Sequence, residues 1–167
     1  GDSAQRLPED SAVRTGRLPN GLTYYIAYHA EPVHRAELRL VVNAGSVLED
    51  ERQRGLAHLL EHMAFDGSTH FPKHAVWDYL ARVGLATGAD VNAETSFDHT
   101  MYRLTIPTDT AAIVTNGLQI LADWAHGLTL DSTELERERK VVIEEWRLHR
   151  GAGARIQESH LRVLLRG

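Results

Sequence analysis

Residues 54–68 read RGLAHLLEHMAFDGS, and they decide how the rest of the chain is understood. A run of Leu, Ala, Met and Phe here carries His58, Glu61 and His62 within five residues. On an α-helix, residues four apart point in nearly the same direction, so the two imidazoles lie one above the other on one face. Two nitrogens in that arrangement suit a single borderline-soft ion such as Zn²⁺, with a carboxylate as third ligand. Glu61 follows His58 by three residues and precedes His62 by one. It would stand beside such an ion, where it takes a proton from water instead of filling a coordination position. The competing reading of the motif alone is a core helix whose histidines are satisfied by hydrogen bonds.

Composition narrows the alternatives. The 167 residues are 43% hydrophobic and 25% charged, with a net charge of −5, as expected for one globular domain with a sizeable core. No basic cluster interleaved with aromatics appears, which argues against nucleic-acid binding. No apolar run reaches membrane-spanning length. There are no cysteines, so a disulfide framework and a thiolate zinc site are both excluded, and any metal must be held by His and carboxylate.

Periodicity predicts the elements around the motif. The first sixteen residues are polar and read as a loose segment. Asn20-Gly21 turns into a strand within RLPNGLTYYIAY, residues 17–28. Ala36, Leu38, Leu40 and Val42 alternate as a half-buried strand that stops near Gly45. The motif helix runs to about Asp66-Gly67, and a second helix, roughly residues 73–83, is closed by Gly84. Two strands are predicted at 91–95 and 100–106. Pro107 and Asp109 introduce a helix with the stripe Ile113, Ile120, Leu121 and Trp124. Asp131, with Glu134 three residues later, opens a long helix reaching about Arg150. Runs of strands followed by runs of helices predict an α+β domain, an antiparallel sheet covered by helices. An amphipathic tail completes nothing, so the chain is expected to be the front part of something longer.

The long helix offers the third ligand. Glu138 and Glu145 are two turns apart and share a face with Val141, Val142 and Leu148, while Glu144 points about 100° away. Two carboxylates in a mostly apolar stripe require something cationic opposite. Helical geometry does not say which of the two touches the metal. His70 and His74 are also four apart, but Pro72 lies between them and predicts a loop. His29, His34, His99, His126, His149 and His160 show no partner spacing and are given no role. The remainder of ELERERK, apart from Glu138, reads as a solvated helix face.

H-L-L-E-H is the inverted zinc motif H-x-x-E-H, and its surroundings resemble the pitrilysin-type metallopeptidases, the inverzincins that include insulin-degrading enzyme and mitochondrial processing peptidase. LPNGLTYYI resembles the family's first strand, LRLVVNAGSVLED its second, and RGLAHLLEHMAFDGSTHFP its zinc helix. DVNAETSFDHTMY resembles its substrate-side strand and ERERKVVIEEWR its third-ligand helix. The similarity runs collinearly from about Arg17 to Arg150. It implies a metallopeptidase N-terminal lobe over residues 17–167 and a zinc endopeptidase acting on extended peptides or unfolded segments. By position, His58 and His62 become zinc ligands, Glu61 the general base, Glu145 the third ligand and Glu138 its supporting carboxylate. Asn92 and Ala93 match the edge segment that holds the substrate backbone by strand addition. The resemblance further implies a C-terminal half, or a partner subunit, that completes the substrate chamber. HFP and EEWR are nearest to bacterial periplasmic zinc proteases, which favours the periplasm and leaves the cytoplasm open. The rival function is a non-catalytic structural or partner-binding relative; such relatives look degraded at the motif, and here it is intact.

Overall fold

The computed structural model describes residues 10–149 and 151–164, in two compact units that divide between His34 and Arg35. In the first unit, Val13–Arg17 (β1) pairs antiparallel with Thr23–Ala27 (β2), Val13 opposite Ala27 and Arg17 opposite Thr23. The connection is closed by Leu18 N–H donating to Leu22 O at 2.8 Å and Gly21 N–H donating to Leu18 O at 2.9 Å. Gly21 takes φ +91°, a conformation that glycine adopts without a Cβ penalty. The predicted turn and strand are therefore present, but the loose segment ends earlier than expected. β1 begins at Val13, because Val13 and Thr15 alternate with Arg14 and Gly16 and find a partner in β2.

The second unit contains Arg35–Val42 (β3), Leu56–Met63 (α1), Ala75–Arg82 (α2), Val91–Thr95 (β4) and Thr100–Pro107 (β5). Ala111–His126 (α3), Ser132–Leu148 (α4) and Ala152–Leu164 (α5) follow. The three strands form an antiparallel sheet in the order β3-β5-β4. Thr100, Tyr102, Leu104 and Ile106 on central β5 are all buried, alternating with half-buried neighbours. On the same face, Leu38 and Leu40 of β3 and Val91 of β4 join the core. Helix α3 packs on β3 and β5, α1 on β4, and α4 on α1. Gly117 lets α3 approach closely: a Cβ there would lie 2.9 Å from Ile106 Cδ1 and 3.0 Å from Leu38 Cδ1. The architecture is the predicted α+β arrangement of helices on an antiparallel sheet.

Some boundaries differ from the prediction. α3 is capped by Thr110, whose side chain accepts from Ile113 N–H; Pro107 instead ends β5 opposite Arg35. Asp131 caps α4 as expected, accepting from the amides of Thr133 and Glu134, but the helix ends at Leu148. The predicted end at Arg150 lies outside the described residues. The covered stripe of α4 is Leu135, Glu138, Val142 and Glu145, whereas Val141 and Leu148 are exposed.

The C-terminal end of α1 is tied to α3. Trp124 Nε1 donates to Ala64 O at 2.9 Å, and Phe65 stacks on Trp77 and meets Trp124 edge-on. Next to Trp124, the buried Asp123 collects the loop that follows α1. It accepts from Ser68 Oγ (2.6 Å), the His70 amide (2.8 Å), His70 Nδ1 (2.7 Å) and Gln119 Nε2 (3.0 Å). Burial pushes the Asp123 carboxyl up, but these donors outweigh it and hold the group below its ordinary range. A lowered carboxyl stabilises the fold above its unfolded value, about pH 4, and that contribution disappears as pH falls through the lower folded value. Asp123→Ala leaves several donors unpaired and should cost about 2–4 kcal/mol, read from urea midpoints near neutral pH. The gap from wild type should narrow below about pH 4; a pH-independent gap would assign the loss to packing alone.

Candidate metal centre

Gly55, which takes φ +88°, caps the start of helix α1. The Glu49 carboxylate reaches its first turn, Oε2 accepting from Gly55 N–H and Oε1 from Ala57 N–H, both at 2.8 Å. This satisfies donors that a helix start leaves open and sets a negative charge against the positive helix end. One turn on, His58, Glu61 and His62 project together, each half-buried.

His62 is oriented from behind. Its Nδ1 lies 2.9 Å from Glu138 Oε2 on α4, so Nδ1 carries the proton and Nε2 presents a lone pair. That Nε2 lies 3.2 Å from His58 Nε2. Glu145 Oε2 completes a near-equilateral triangle, 3.4 Å from His58 Nε2 and 3.5 Å from His62 Nε2. Ligand atoms about 2.0–2.2 Å from a tetrahedral ion stand about 3.3–3.6 Å apart, so two nitrogens and an oxygen at these spacings fit zinc. Among the described residues, this is the one group of three His or acidic side chains that could hold a metal ion. Glu144 points elsewhere and pairs with Arg147. Glu145 is the carboxylate that approaches both Nε2 atoms, whereas Glu138 meets His62 at Nδ1.

Glu61 faces the adjoining cleft of roughly 490 Å³, lined by His58, Glu49, Ala93, Thr95 and Phe97 among others. Thr95 Oγ1 donates to Glu61 Oε2 at 2.6 Å, and Oε1 has no hydrogen bond among the described residues. Burial, and then the Glu61 charge, push the Tyr102 phenol up to about 12.

β4 borders this cleft as an edge strand whose ladder partner is β5, with Val91 at its start also bridged to Thr87. The bonds from Ser96 N–H to His99 O and from Thr105 N–H to Asp90 O set the alternation of the ladder. Asn92 and Glu94 therefore direct their backbone groups at β5, while Ala93 and Thr95 turn theirs outward. Asn92 is exposed, and its Oδ1 accepts from the Ala93 amide at 2.9 Å.

Within ELERERK, Glu136, Arg137, Arg139 and Lys140 are exposed, as expected of a solvated helix face. Glu138 is buried, and its second oxygen, Oε1, lies 3.2 Å from Arg137 Nη2. Arg137 also contacts Asp66 Oδ1 at 2.7 Å and Glu134 Oε2 at 2.8 Å. Burial and the Glu138 charge raise the Asp66 carboxyl, with Arg137 opposing them. His70 belongs to the Asp123 cluster and His74 lies at the start of α2; neither joins the triangle.

Sequence reading missed Glu49, Thr95 and Arg137. Thr95 was recoverable, because strand alternation puts it on the face of Val91 and Ala93 that packs on α1. An acid shortly before a helix start was a weak signal for Glu49. No spacing rule brings Arg137 to Asp66, 71 residues away.

A metal-sized triangle formed by one helix lying on an edge strand and one later helix is the arrangement expected of the N-terminal lobe of a pitrilysin-type metallopeptidase. The family model described as Insulinase (Peptidase family M16) matches residues 24–158, and the chain belongs to that family. It is 40% identical over 152 residues to a zinc protease PQQL-like protein of Arabidopsis thaliana, covering 91% of this chain and 16% of that one. It is 37% identical over 162 residues to the probable zinc protease PqqL of Escherichia coli K12, covering 97% and 17% respectively. The crystal structure of the first half of the periplasmic protease PqqL from E. coli superposes with a TM-score of 0.90 at 37% identity, over 96% of this chain and 34% of that one. The chain thus spans about one-sixth of the length of these curated relatives.

Glu49→Ala should remove two acceptors from the start of α1 and cost about 1–2 kcal/mol. Thermal denaturation checks this; an unchanged midpoint would mean that water replaces the carboxylate at no cost.

Proposed function

We propose that this chain is the zinc-binding lobe of an endopeptidase that hydrolyses extended peptides or unfolded protein segments. The observation that carries the proposal is the triangle of His58 Nε2, His62 Nε2 and Glu145 Oε2, 3.2–3.5 Å on a side. These three residues hold the ion, and Glu138 fixes the tautomer of His62. Zinc, when bound, supplies Lewis-acid polarisation and an acidified water.

Glu61 acts as general base. Thr95 fixes its Oε2, and Oε1 takes the proton and later delivers it to the nitrogen of the departing amine. The outward backbone groups of Ala93 and Thr95 bind substrate as an added strand. Asn92 Oδ1 holds the Ala93 amide until a substrate carbonyl replaces it. A C-terminal half of the same protein, or a partner subunit, supplies the facing wall of the chamber. Similarity to the periplasmic E. coli protein supports a periplasmic setting. A non-catalytic relative would have no need of a converged ligand triangle with a separately held carboxylate beside it, and both features support the enzyme.

Metal analysis and peptide hydrolysis on the full-length protein test this reading. Wild type should hold about one zinc, and Glu145→Gln, left with two imidazoles, should lose most of it. Glu138→Gln should still bind zinc, but on the order of 10–100-fold more weakly. Full zinc retention in Glu145→Gln would remove that residue from the site.

Glu61→Gln should keep both zinc and fold while hydrolysis drops by at least about 100-fold, since an amide cannot accept the proton. Unchanged turnover would rule out Glu61 as base.

A further inference from the structure

We propose that Arg137 is a positioning residue of the metal centre, holding Glu138, and through it His62, in the orientation that the ion requires. The inference rests on the zinc reading above and extends it one layer outward.

Glu138 is buried, with its two oxygens divided between two partners: Oε2 on His62 Nδ1 at 2.9 Å and Oε1 beside Arg137 Nη2 at 3.2 Å. A carboxylate held at one oxygen can swing about its last bond, and the ion pair at the other oxygen opposes that swing. Arg137 also joins the two elements that carry the ligands. Asp66, three residues beyond the end of α1, takes a 2.7 Å hydrogen bond from the same Nη2. His58 and His62 lie on α1 and Glu145 on α4, so this link helps set the gap that the triangle spans.

Charge gives a second, independent argument. Asp66 and Glu138 are both only 8% exposed, and Asp66 Oδ2 is buried without a partner. Two neighbouring carboxylates taken out of water repel each other and lose solvation. The guanidinium between them offsets both costs. Its planar fork contacts three acids at once, Nη2 serving Asp66 and Glu138 while Nε meets Glu134. A lysine ammonium is a single point and does not reproduce that geometry. Without Arg137, Glu138 loses its compensating cation and its second anchor, and its grip on the His62 ring loosens.

The test is a double-mutant cycle on the full-length protein, with the zinc dissociation constant measured by chelator competition. Arg137→Ala should weaken zinc binding by roughly ten-fold, within the range typical of residues that support metal ligands. In a Glu138→Gln background the same change should have less than about a two-fold effect, because the group through which Arg137 acts has gone. The cobalt-loaded Arg137→Ala protein should show altered visible bands. Arg139→Ala, which removes only an exposed pairing with Glu136, should leave them unchanged. If Arg137→Ala fails to fold, Arg137→Lys and Arg137→Gln go through the same cycle, with Lys recovering more affinity than Gln. Equal losses in both backgrounds, or zinc affinity unchanged in the single variant, would overturn the proposal. Wild-type protein that takes up no zinc would overturn the metal-site reading itself, and this proposal with it.

Discussion

A hydrogen bond between His62 Nδ1 and Glu138 Oε2 couples the two helices on which the candidate site depends. It connects residues 76 apart in sequence, and both partners lie largely out of water. Because the proton sits on Nδ1, the Nε2 lone pair is directed at His58 and Glu145. Rotating or retautomerising the ring would dissolve the triangle even with every residue still present. The bond is also costly to leave half-made, since a buried carboxylate with no donor loses its solvation without compensation. α1 and α4 are therefore held at one spacing by polar chemistry, and a purely apolar interface would tolerate more sliding.

The surrounding fold keeps that joint in place. α1 is secured at both ends, by the Glu49 carboxylate at its start and by Trp124 and the aromatic stack at its finish. The Asp123 cluster then holds the loop leaving the helix, which keeps Asp66 within reach of α4. Under α1 lies the apolar face of the sheet, and beside it the free edge of β4. The same sheet geometry that buries Val91 and Tyr102 turns the Ala93 and Thr95 backbones toward the cleft. Edge strands are usually a liability, and β4, one of the two edges of this sheet, is a short one that borders the candidate site.

Much of this was legible in the sequence, for a physical reason: local periodicity reports local geometry. Four-residue spacing put His58 and His62 on one face, seven-residue spacing put Glu138 and Glu145 on another, and strand alternation identified Tyr102, Leu104 and Ile106. What periodicity cannot report is which distant groups meet. Glu138 and Glu145 looked equivalent on the helix, and only the position of α4 against α1 gives one to His62 Nδ1 and the other to the triangle. Most of ELERERK is exposed, as charge normally is, but no spacing announced that Arg137 meets two buried acids, Glu138 on α4 and Asp66 beyond the end of α1. His70 looked idle because its partner, Asp123, lies on a helix 53 residues later. β1 was hidden because its side chains are mostly polar, and its strand character emerges only through pairing with β2.

Glu61 sits where two environments meet. On one side is the cleft; on the other is the core, where Tyr102 senses the Glu61 charge strongly enough to help push its phenol up to about 12. A charge felt that far into the core is poorly screened, as expected near low-dielectric packing. Thr95 counters the cost of holding the carboxylate there by donating to one oxygen, which also prevents the group from turning back toward solvent. The other oxygen has no hydrogen-bond partner among the described residues. The contact between β4 and α1 thus orients Glu61 through Thr95, while the contact between α1 and α4 brings Glu145 to the two imidazoles, so the acid beside the triangle and the acid within it are held by two separate sets of contacts.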